Sequence, residues 1–100
     1  MTSTLKLGTF NRMKYEVKIK KQIEKGLDKL PILVQKKLVR LVMDLRDKGP
    51  VQADWPNYSK LSSLEYHCHL GYSWVVCWRN EKNTLIIEVY YVGSREKAPY

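Results

Sequence analysis

The last third of the chain, Tyr66 to Tyr100, constrains the fold more than any other stretch. It reads YHCHLGYSWVVCWRNEKNTLIIEVYYVGSREKAPY, with strand-length runs rich in valine, isoleucine and aromatic residues. Gly71-Tyr72 and Asn80 to Asn83 separate these runs. Connections so short join antiparallel neighbours. The spacing predicts strands over Glu65 to Leu70, Ser73 to Arg79 and Thr84 to Val92, with a shorter run at Tyr58 to Leu61.

Upstream the period is different. Met13 to Ile19 alternates, with Tyr15, Val17 and Ile19 on one face and Lys14, Glu16 and Lys18 on the other, as in a half-buried strand. From Lys20, Ile23, Leu27 and Leu30 recur at helical spacing, Gly26 weakening the helix only slightly, and Pro31 closes this helix or opens the next. Ile32 to Lys48 is the clearest helix, with Val34, Leu38, Leu41, Val42 and Leu45 on one stripe and Gly49-Pro50 as the stop. Residues 1 to 12 read as a loose polar arm before a single domain over residues 13 to 100. The order strand, helix, helix, then antiparallel strands predicts an α+β domain. In it a two-helix hairpin covers one face of an antiparallel β-sheet, and the other face stays open and basic.

The net charge is +8 and the pI near 9.6, which points to a polyanionic or acidic partner, nucleic acid first. No apolar run is long enough to cross a bilayer, and the first ten residues lack the apolar core of a secretory leader, so the expected compartment is cytoplasmic. There Cys68 and Cys77 are expected as buried free thiols.

Parity along the strands separates the faces. Tyr66, Cys68 and Leu70 form the apolar set, which turns His67 and His69 together to the open face beside Glu65. In Ser73 to Arg79 either Val75 and Cys77 or Trp74, Val76 and Trp78 can be core. In the last strand Leu85, Ile87, Val89 and Tyr91 read as core, opposite Ile86, Glu88 and Tyr90. The histidines are open to three readings: solvated residues, metal ligands, or nucleotide contacts with acid–base chemistry. Metal has little support, because no third ligand has a suitable spacing and Cys68 points the other way. Trp74 and Trp78 either close the core or offer a base a stacking surface. No glycine-rich phosphate loop, G-x-S-x-G, C-x-x-C or H-E-x-x-H occurs, so nucleotide-cofactor, serine-hydrolase and metalloprotease chemistries are unsupported and no cofactor is expected.

Four pieces in order resemble the RelE-like toxins of bacterial type II toxin–antitoxin pairs. They are the paired helices KKQIEKGLDKLP and VQKKLVRLVMDL, Lys60-Leu61 followed by Tyr66-His67-Cys68-His69-Leu70, the strand Ser73 to Trp78, and the ending Val92-Gly93-Ser94-Arg95-Glu96-Lys97 through Tyr100. The resemblance spans about residues 13 to 100. It implies a metal-independent, ribosome-dependent endoribonuclease that cuts messenger RNA in the A site and is held by a cognate antitoxin protein. By this resemblance His67 and His69 fall where relatives carry lysine or arginine, Arg95 on a phosphate-binding arginine, and Tyr100 on a C-terminal tyrosine that stacks on a base or assists proton transfer. These four are the expected catalytic residues, with Glu88 an outside choice of base. Lys60, Trp74, Trp78 and Arg79 are expected to contact substrate. Trp74 stands where these toxins carry a catalytic arginine, and Arg79 or Lys60 is the charge available to replace it. Two further readings stand beside the nuclease. One is a ParE-like gyrase inhibitor, which shares the fold. The other is a decayed module that binds RNA or protein without cutting.

Overall fold

A computed structural model describes residues 14–100. The arm expected over residues 1 to 12 lies outside the described residues. The chain runs β1 (Glu16–Ile19), α1 (Lys21–Gly26), a 3-10 turn (Leu27–Lys29), α2 (Ile32–Lys48), β2 (Ser59–Lys60), β3 (Glu65–His69), β4 (Trp74–Asn80), β5 (Ile86–Ser94) and a second 3-10 turn (Arg95–Lys97). The five strands form one sheet in the order β1-β5-β4-β3-β2. β2 to β5 are antiparallel neighbours, as the short turns require. β1 joins the outer edge of β5 in parallel, with Val17 opposite Ile87 and Ile19 opposite Val89. The sheet is therefore mixed. The helices carry the chain from one sheet edge to the other, so β1 is joined to its parallel neighbour β5 only through the rest of the domain.

α2 has the predicted bounds and buries the predicted stripe of Val34, Leu38, Leu41, Val42 and Leu45. It ends at Gly49, whose φ of 94° and ψ of −167° lie in a region almost reserved for glycine. A Cβ there would meet the Tyr15 ring at 2.8 Å, so the same glycine lets β1's approach pack against the helix end. α1 is shorter than the periodicity predicts. Its α-helical bonding stops at Gly26, and a 3-10 turn completes the segment to Leu30. Glycine's backbone entropy is the reason the single weak position became the boundary.

The core lies between α2 and one sheet face. Ile87, Val89, Val76, Trp78, Tyr66, Cys68 and Leu70 supply the sheet side. Tyr58, Tyr66 and Trp78 stack with ring centroids 6.2–6.3 Å apart. Trp78 is fully buried, and its Nε1 donates to the Pro50 carbonyl at 3.0 Å. The loop after α2 is held by Gln52 Nε2, which donates to Gly49 O at 2.8 Å, and by Trp55 Nε1, which donates to Asp44 Oδ2 at 2.9 Å. Among the described residues no helix is long and apolar enough to cross a membrane.

Candidate functional site

The face of the sheet away from the helices collects the chemistry. β3 contributes His67 and His69, β4 contributes Val75, Cys77 and Arg79, and β5 contributes Glu88, following the pairs His67–Cys77, His69–Val75 and Arg79–Glu88. This resolves the parity of β4: Trp74, Val76 and Trp78 point to the core, and Val75 and Cys77 point away from it. Trp78 therefore offers no stacking surface, and Trp74 packs at the core margin. Lys60 is opposite Tyr66, on the helix side, with its Nζ 5.8 Å from the Tyr66 centroid. Lys60 thus lies across the sheet from the histidines. Of the two charges available to replace the arginine missing at Trp74, only Arg79 is on the histidine face.

A bulge in β5 decides what else reaches this face. Cys77 is opposite Tyr91 and Trp78 opposite Val89, so Tyr90 is the extra residue. The bulge breaks the alternation that sets Tyr91 with Ile87 and Val89. Tyr91 instead shares the face of Cys77, lies against Gly93 and donates to the Ser94 carbonyl at 2.7 Å. Leu85, also expected in the core, lies before the strand and is 60% exposed. Tyr90 sits under Arg79, whose guanidinium is 4.5 Å from the ring centroid.

The face is neither bare nor uniformly basic. Arg79 pairs with Glu88 at 3.7 Å, and Glu65 is opposite Arg79. The C-terminal segment folds back so that the Tyr100 ring covers His67 at 4.5 Å between centroids. His67 is only 7% exposed, and Val75 and Cys77 are fully buried. His69 is half-buried beside it, ring to ring at 5.7 Å. Arg95 follows β5 in the 3-10 turn, and its backbone N–H donates to Ser73 O at 2.8 Å. His67, His69 and Tyr100 thus lie together, and the Arg95 charge reaches both His69 and Tyr100.

Ser59 was not foreseen. Its Oγ is 2.9 Å from His67 Nδ1, across the β2–β3 pair. With Nδ1 engaged, Nε2 is the nitrogen left for chemistry. Burial lowers the His67 pKa, and a hydrogen bond to the Ser59 backbone opposes that shift. Burial, then the charges of His67 and Arg95, lower that of His69. Both shifts favour the neutral imidazole, the form that accepts a proton. Burial raises the Tyr100 phenol, which therefore keeps its proton as a donor. Cys68 and Cys77 point to opposite faces, are free, and are held as thiols by burial, each pushed up to about 12. Among the described residues no group of three or more metal-ligating side chains comes together.

At the edge of this face, a cleft of about 370 Å³ opens between Lys37 and Arg40 of α2, Trp55 and the His69–Gly71 segment. It adds helical cations at the edge of the site.

No protein-family model matches the chain, and no curated protein matches it in sequence. Solved structures do match. RelE in the archaeal RelE–RelB complex of Pyrococcus horikoshii superposes with a TM-score of 0.70 and 23% identity over 86% of this chain and all (100%) of that one. A mutant of E. coli RelE in the free state gives 0.64 at 18% identity over 84% and 86% of the two chains. The E. coli DinJ–YafQ toxin–antitoxin complex gives 0.60 at 16% over 83% and 94%. The chain thus shares the fold of these RelE and YafQ structures, two helices on a five-stranded mixed sheet.

Proposed function

We propose that this protein is the toxin of a type II toxin–antitoxin pair and a metal-independent endoribonuclease, cutting messenger RNA in the ribosomal A site. The observation that carries the reading is the convergence of His67, His69, Arg95 and Tyr100 on one sheet face. The fold supports it, since similar structures include RelE toxins and a DinJ–YafQ toxin–antitoxin complex.

The chemistry follows from the environments. Nε2 of neutral His67, with His69 beside it, removes the proton of a ribose 2′-hydroxyl. The 2′-oxygen attacks the adjacent phosphorus and the bond to the 5′-oxygen breaks. Arg95 stabilises the charge that builds on the phosphoryl oxygens, and the Tyr100 phenol donates a proton to the departing 5′-oxygen. Arg79 is the reserve cation on the same face, held back by Glu88. Tyr100 covers His67 in this structure, so substrate entry requires the terminal ring to swing aside and stack on a base.

The antitoxin has a surface that suits an amphipathic, acidic segment. α2 exposes Val39 and Met43 among Lys36, Lys37 and Arg40, and apolar side chains without a partner mark interaction surfaces.

Induced expression in growing cells tests the reading. Loss of translated transcripts, with no DNA-damage response, is the expected outcome. Intact transcripts with a DNA-damage response would instead support a ParE-like action on gyrase.

A further inference from the structure

We infer that Tyr72 and Arg95 form a subsite for one nucleotide of single-stranded RNA, with the base on the Tyr72 ring and a phosphate on the Arg95 guanidinium. The inference rests on the RNA-cleaving reading above and adds a substrate contact to it.

Tyr72 occupies the tip of the β3–β4 turn and is 88% exposed, the most exposed of the large apolar side chains described. So exposed a ring gains nothing from the core, and a lone surface tyrosine by itself calls for no explanation. Its neighbour does. The Arg95 guanidinium is 5.7 Å from the Tyr72 centroid, within cation–π range. The Arg95 N–H donates to Ser73 O at 2.8 Å, which fixes the segment after β5 against the turn that carries Tyr72. Tyr72, Ser73, Ser94, Arg95 and Glu96 enclose a cleft of about 250 Å³. The charge of the same Arg95 also reaches His69 and Tyr100. One cation therefore connects the cleavage residues to an exposed aromatic face.

Single-stranded nucleic acid is bound by this pairing of parts, a cation on the backbone and a ring under the base. The polar wall suits a nucleotide rather than an apolar peptide. Ser73 and Ser94 offer hydroxyls, and Glu96 repels a phosphate while accepting hydrogen bonds from a base edge. The base thus lies toward Tyr72 and Glu96, and the phosphate toward Arg95 and the histidines.

The test uses ribosomes programmed with a message whose A-site codon carries 2-aminopurine at one position and a 2′-O-methyl block against cleavage. Addition of the full-length protein should change the fluorescence at one codon position. Tyr72→Ala should abolish that change and raise the half-saturating protein concentration about tenfold, the scale of one lost base stack. Tyr72→Phe should retain both, because the ring and not the hydroxyl is used. Circular dichroism and thermal melts of the variants should match the wild type. Wild-type binding and fluorescence in Tyr72→Ala would overturn the subsite alone. A wild-type protein that never binds the programmed ribosome would overturn the RNA-cleaving reading with it.

Discussion

Burial and Ser59 act on His67 in opposite directions. Burial favours the neutral ring and the Ser59 backbone opposes it, while the Ser59 hydroxyl at Nδ1 holds the ring in one orientation. His67→Ala is expected to lower the single-turnover cleavage rate by about 10²-fold, the usual scale for a lost general base. Ser59→Ala should lower it by about tenfold, because the base remains but loses its orientation, and Ser59→Thr should restore most of the loss. Single-turnover assays with equal protein folding check both, and wild-type rates would make the histidine a structural residue. At this scale the sequence was legible where local parity sufficed. It placed His67 and His69 on one face, while Arg95 and Tyr100 came into the expected site only through the resemblance. It could not place Ser59 against His67, because the β2–β3 register depends on two strands at once. It could not remove Lys60 from the site for the same reason.

Helix α2 was readable to its last residue because its stop signal is local and strong. Gly49 combines a backbone conformation almost closed to other residues with the Tyr15 ring in contact distance. Gly49→Ala is expected to destabilise the protein by about 2 kcal/mol, within the usual cost of such backbone strain. Urea denaturation measures it, and an unchanged midpoint would contradict the role given to this residue. α1 was less legible, since the cost of one glycine within a short helix is close to what tertiary packing returns. The β5 bulge was not legible at all. A bulge is a mismatch between partners, and neither strand alone records it. Its effect on the site is large, since it sends Tyr91 to the face of Cys77 instead of the core.

For the molecule as a whole, the histidines make stability depend on pH. In the folded chain His67 and His69 have lowered pKa values, so below about 6.5 the unfolded chain takes up protons that the folded chain resists. Stability is full above that pH, falls as pH drops through the lowered folded values, and then levels off. Denaturation midpoints should be lower at pH 5.5 than at pH 7.5, and His67→Gln should shrink the difference. A midpoint that rises on acidification would contradict the buried, neutral histidine. The α+β class and helix-on-sheet layering followed from the order of periodicities. The parallel β1–β5 pair did not, because it joins residues some seventy positions apart and leaves no local mark. The central claim is that a ribonuclease site is assembled on this face. Cleavage-site mapping by primer extension on a message paused on purified ribosomes tests it most directly, with wild type and Arg95→Ala in parallel. The account predicts cuts at the A-site codon that disappear in a normally folded Arg95→Ala protein; intact message with the wild type, or unchanged cuts with Arg95→Ala, would contradict it.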